Sequence, residues 1–137
     1  MAIAVDIETL LKPLFEESDV PMKPAGESSL SLFRKRASDR KVPPSVTDEL
    51  CRFYSIVDGV PCLDSLDIYR CADITIFEWW DQRELWLGQR DNNTLRWSSS
   101  KDRYCIGDSS NISFSPETEF RTFGEALQEL VRIYDLP

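Results

Sequence analysis

The apolar pattern of this chain changes from helical to strand-like period at Gly59, and that change restricts the fold more than any other feature. Upstream of it, apolar residues recur at helical spacing. Val46, Leu50, Phe53 and Val57 follow at steps of four, three and four, with Tyr54 beside them, which predicts a helix with one apolar face. Pro43-Pro44 suits its first turn, because an N–H missing there has no intrahelical partner. Asp48 and Glu49 are expected near the positive end of its dipole, and Asp58-Gly59 is expected to stop it.

Two further helices are expected before it. Ile7, Leu10, Leu11, Leu14 and Phe15 place one between Val5 and Glu17, kinked or interrupted near its middle by Pro13. Val20 to Gly26, with two prolines and a glycine, reads as a short connector. Ser28 to Arg36 reads as a second helix carrying Leu30 and Phe33. Its end opens the one cationic cluster of the chain, Arg34, Lys35, Arg36, Arg40 and Lys41, which reads as solvated surface ahead of a nucleic-acid contact.

Downstream of Gly59 the runs are short and alternating. Leu66–Tyr69, Ile74–Trp80, Leu85–Gln89, Thr94–Trp97 and Arg103–Ile106 are read as strands, the third and fourth separated by the polar turn Asp91-Asn-Asn93. Such close spacing leaves no room for parallel crossovers, so the pairing is expected to be antiparallel. Thr122-Phe-Gly-Glu125 has the form of a capping box and opens a last helical stripe of Phe123, Leu127, Leu130, Val131 and Tyr134. The expectation is one α+β domain over residues 1–137, with an antiparallel sheet of about four to six strands flanked by N-terminal helices and one C-terminal helix. A chain of 137 residues suits one core better than two.

Charge narrows the partner. The 16 lysines and arginines face 24 acids, for a net charge of −8, which disfavours nucleic acid and favours a basic protein. The acids are concentrated: residues 44–84 hold nine against three arginines. No apolar run approaches the roughly 18 residues that span a bilayer, and the opening MAIAVDIETLL lacks the marks of a signal peptide, so no membrane partner and a cytoplasmic location are expected.

Sites of chemistry are poorly supported. Cys51, Cys62, Cys71 and Cys105 form no C-x-x-C pair and the chain has no histidine, so neither a metal nor another cofactor is expected and the thiols read as small apolar groups. Gly107-Asp-Ser109 resembles an esterase nucleophile motif, but no histidine is present to take the serine proton and no lysine stands at Ser-x-x-Lys spacing. Glu78 with Glu84 and Asp64 with Asp67 read as surface acids, and no catalytic residue is assigned. The aromatic run is more informative. In a strand, Phe77 and Trp79 would share one face and Trp80 would lie opposite with Glu78, so one large aromatic is either an exposed anchor or covered by another element.

Pro43-Pro44, the Leu-x-x-Phe-Tyr helix from Leu50, and the closing Asp58-Gly59 resemble the hallmark helix of the SUKH superfamily, the Smi/Knr-like proteins. Leu66-Asp-Ile-Tyr69, Leu87-Gly-Gln-Arg-Asp91, Tyr104-Cys-Ile-Gly-Asp-Ser-Ser-Asn111 and Phe120-Arg-Thr-Phe-Gly-Glu-Ala-Leu127 are similar in kind and order to its YrhA-like bacterial branch, from about residue 42 to the end. Asp58 stands where relatives commonly have asparagine. The resemblance implies a non-catalytic α+β domain whose bacterial members often act as immunity proteins that bind and block a toxin. A basic nuclease toxin domain encoded nearby is then the expected partner, met by Trp79 or Trp80 as anchor and by Asp64, Asp67, Asp81 and Glu84 as charges. The other reading is a SUKH-type regulatory scaffold with no toxin.

Overall fold

The computed structural model describes residues 6–108 and 118–132. Three helices, α1 (Ile7–Glu17), α2 (Glu27–Asp39) and α3 (Pro44–Tyr54), precede six strands, and α4 (Phe123–Arg132) follows them. The strands β1 (Val60–Leu63), β2 (Leu66–Ile68), β3 (Glu84–Arg90), β4 (Asn93–Ser98), β5 (Arg103–Asp108) and β6 (Thr118–Phe120) lie in chain order and pair antiparallel throughout. The fold is α+β with helices at both ends of the chain, as the change of period at Gly59 implied. One cluster of buried apolar side chains joins Ile7, Leu11 and Phe15 of α1 to Phe33, Leu50, Tyr54, the sheet and Leu130 of α4.

Several local expectations are corrected. Helix α1 runs through Pro13 without interruption, because the proline and Thr9, whose carbonyl loses its donor, are both exposed. Helix α3 ends at Tyr54 rather than at Asp58-Gly59, with the Ser55 N–H closing on the Cys51 carbonyl and the Ile56 and Val57 N–H groups on that of Phe53. Asp48 and Glu49 lie beyond its first turn. Glu49 serves a different helix: it accepts the Phe123 N–H at 2.7 Å, at the start of α4, and the Tyr104 hydroxyl at 2.8 Å. One carboxylate thereby ties α3 to β5 and sits at the positive end of the α4 dipole. Burial, followed by the Glu49 charge, pushes the Tyr104 hydroxyl far above its usual range.

The run from Ile74 to Trp80 is not a strand. It forms two 3₁₀ turns, Ile74–Phe77 and Trp80–Gln82. The Asp73 carboxylate accepts the Thr75 N–H at 2.9 Å and starts the first turn, and the adjacent Ile76 and Phe77 are both buried. Phe77 packs 5.8 Å from Phe33, on the helix side of the sheet. Strands β1 and β6 were not expected; Pro61 in one and the brevity of the other obscure any alternation.

The capping box is formed in part, with Thr122 Oγ1 accepting the Glu125 N–H at 3.1 Å and its hydroxyl donating to Glu125 Oε1. Tyr134 and Ser109-Ser-Asn111 lie outside the described residues. The cationic cluster is not uniformly solvated: Arg34 pairs with Asp48 at 2.8 Å, Arg36 donates to the Ala72 carbonyl, and the Arg40 guanidinium lies 4.7 Å from the Phe77 ring centre.

Candidate protein-binding surface

Cross-strand register determines which residues share the face of the sheet turned away from the helices. Trp86 pairs with Arg96, Arg96 with Cys105, and Cys105 with Glu119, so these four form one row. Asp67, Gln89, Thr94 and Gly107 form a second row on the same face. A strictly alternating β3 would put Trp86 and Gln89 on opposite faces. A bulge between Trp86 and Gly88 inserts Leu87 and brings both to the same side. Trp86 and Cys105 lie outside the apolar core cluster, in keeping with that placement.

The 3₁₀ segment supplies the feature that stands out on this face. Trp79 stacks on Trp86 with ring centres 5.0 Å apart and an interplanar angle of 24°. It remains 37% exposed, one of four exposed large apolar side chains among the described residues. Its neighbour Trp80 turns the other way: the ring stacks on Trp97 at 6.4 Å and its Nε1–H donates to the Arg40 carbonyl at 2.9 Å. The two tryptophans are thus on opposite sides, as alternation implied, but Phe77 goes with Trp80 and not with Trp79.

The acids divide in the same way. Glu84 is closed on Arg96, whose Nη1 lies 3.0 and 2.9 Å from its two carboxylate oxygens. Asp64 binds the buried Arg90 at 2.7 Å and so serves the helix side. Asp67 and Asp81 make no ion pair or side-chain hydrogen bond among the described residues, and neither does the exposed Glu78. Of the six expected contact residues, Trp79, Asp67 and Glu84 gather on the open face, Asp81 lies exposed at its margin, and Trp80 and Asp64 are engaged internally. Trp86 and Arg96 were missed as members of this surface. Trp86 belonged visibly to the aromatic group, but only pairing shows that it carries Trp79.

The remaining chemistry is sparse. Among the described residues, no group of three or more His, Cys, Asp or Glu is arranged to hold a metal ion, and no helix is long and apolar enough to cross a membrane. Cys51, Cys71 and Cys105 are buried and burial raises each thiol, Cys71 to about 12, whereas Cys62 is exposed. Asp64 and Asp67, the nearer acid pair, are directed to opposite sides and share no site. No known protein family matches the chain, and no curated protein matches it.

Proposed function

We propose that this chain is a SUKH-type, non-catalytic immunity protein that binds and neutralises a basic toxin domain, most simply a nuclease. The observation that carries the reading is Trp79, a large aromatic stacked on Trp86 and still 37% exposed on the sheet face turned away from the helices. A tryptophan fixed in this way loses little freedom on binding, and such residues are where interface energy concentrates. Glu78 and Asp81 beside it are exposed and unpaired among the described residues, and the whole chain carries −8, so the same surface attracts a cationic partner.

The test is capture of the product of a neighbouring gene by the tagged protein, at low and at high salt. A basic polypeptide retained at low salt, released at high salt and inhibited while bound supports the reading. Retention of several neutral proteins instead transfers support to the regulatory scaffold, and retention of nothing overturns binding through this face.

A further inference from the structure

A groove of about 620 Å³ lies where the connector between α1 and α2 meets β1 and β2. Phe15, Val20 and Val60 give it apolar walls, and Asp67, Tyr69 and Asp73 give it a polar rim. The charges here do not close among themselves. Asp58 is occupied, its carboxylate accepting the Cys71 N–H at 2.9 Å and the Arg70 Nε–H at 3.2 Å. That pairing sets Arg70, the guanidinium in the lining, against Asp58. Asp73 gives one oxygen to the Thr75 N–H, and Asp67 has no partner among the described residues. Lys23 lines the groove but forms no ion pair with either. Two acids therefore face one lysine, a deficit of a single positive charge.

The half-buried carboxyl of Asp67 feels that deficit: burial first, and then the Asp73 charge, raise it above its usual range. The Tyr69 hydroxyl is raised by burial and by the fields of Asp67, Asp73 and Glu78. Asp67 and Asp73 thus line the groove beside Tyr69 without a paired cation, an arrangement that favours one. Strand addition is disfavoured at this edge, because β1 carries Pro61, an irregular register and Cys62 at a φ of 54°. Recognition here falls to side chains.

We propose that this groove receives one arginine side chain of the basic partner, its guanidinium between Asp67, Asp73 and the Tyr69 ring. A planar guanidinium matches two carboxylates and stacks on an aromatic ring, which an ammonium does less well. That the arginine belongs to the toxin rests on the function proposed above; the affinity of the groove for a guanidinium does not.

The probe is N-acetyl-argininamide, titrated into the ¹⁵N-labelled protein at constant ionic strength, with the uncharged citrulline analogue as control. Saturable shifts at the Gly59, Tyr69 and Asp73 amides are expected, with a Kd in the millimolar range, and at least a fivefold weaker response in Asp67→Asn/Asp73→Asn. Asparagine retains an acceptor for the Thr75 N–H, so this variant keeps its fold, checked by its unchanged spectrum elsewhere. Equal shifts with the citrulline analogue, or an unaltered response in the double variant, overturn the proposal. If a basic partner is captured and the double variant binds it as tightly as the parent, the groove is not the arginine site and the proposed function stands. If the groove binds the probe while no basic partner is captured, the function falls and the cation site stands.

Discussion

The guanidinium of Arg90, 1% exposed, donates to the Asp64 carboxylate at 2.7 Å and to the Val131 carbonyl at the same distance, with the Asp64 carbonyl at 3.2 Å. A buried cation in β3 thereby joins the β1–β2 turn to the backbone of α4. The two halves of the contact are unequal. Asp64 is mostly solvent-exposed, so its charge is screened, and Asp64→Ala is expected to cost about 1 kcal/mol or less. Arg90→Ala strands several acceptors and leaves a cavity, and is expected to cost about 3 kcal/mol. Urea unfolding with equal slopes checks both, and a larger loss in the aspartate variant would contradict the assignment.

Trp79 and Trp80 are adjacent and make opposite predictions. Trp79→Ala should change stability by less than about 1 kcal/mol, because the ring is partly exposed and lies outside the apolar core, yet weaken partner binding by about 2 kcal/mol or more. Trp80→Ala removes a stacked, half-buried ring and its bond to the Arg40 carbonyl, and should destabilise by about 2 kcal/mol. Thermal unfolding paired with a binding measurement separates them. Equal effects of the two substitutions on stability would remove the basis for calling Trp79 the anchor.

The four thiols should differ sharply in reactivity. Cys62 is exposed, while Cys51, Cys71 and Cys105 are buried and raised, so each is a poor nucleophile near pH 8. A thiol reagent is expected to modify one cysteine quickly in the native protein and four in urea, with Cys62→Ser abolishing the fast phase. Two or more fast thiols would refute this burial pattern.

Much of the fold was legible because it rests on local pattern. The α4 stripe and its Thr122 cap, the β4 and β5 runs and the short gaps between them each declare an element without reference to the rest of the chain. What escaped depends on tertiary context. Ile74 to Trp80 has the composition of a strand, but the Asp73 side chain seeds a turn there, and Phe77 and Trp80 find partners on one side of the sheet while Trp79 finds one on the other. The bulge at Leu87 shifts the phase of β3, so alternation read along the strand places Gln89 on the wrong face. Within the candidate surface, Trp79 and the unpaired Asp67 were nameable from type and position. The closure of Glu84 on Arg96 and of Asp64 on Arg90 was not, since both partners are supplied by pairing between distant segments.

Gly59 tests whether the resemblance at the end of the third helix has a physical basis. It lies beyond the helix at a φ of 84°, and a Cβ there would stand 2.5 Å from the Ile68 carbonyl oxygen and 3.1 Å from the Arg70 nitrogen. Both the left-handed conformation and the close approach of β2 require glycine. Gly59→Ala is expected to cost about 2 kcal/mol or more, measured as a fall in the denaturant midpoint. A neutral outcome would mean that the approach of these backbones is not as drawn.

The Asp67 carboxyl gives the chain a pH dependence opposite to that of a salt-bridged acid. Its pKa is raised in the folded protein, above the unfolded value near 3.8, by burial first and by Asp73 second. Between those two values the folded state holds more protons than the unfolded one, so stability falls as pH rises through the window. The penalty is complete at neutral pH, where the carboxylate is charged in both states, and vanishes below the unfolded value. Asp67→Asn should therefore stabilise the protein at pH 7 and leave it unchanged at pH 3, since no described residue loses a hydrogen bond. Stability curves of parent and variant across that range are expected to converge on the acid side. Occupation of the groove by a guanidinium compensates the same charge, so the argininamide probe should raise the melting temperature of the parent at pH 7 and have little effect on Asp67→Asn. Destabilisation of the asparagine variant at neutral pH would show instead that the carboxylate already has a partner, and the groove would then have no charge left to offer.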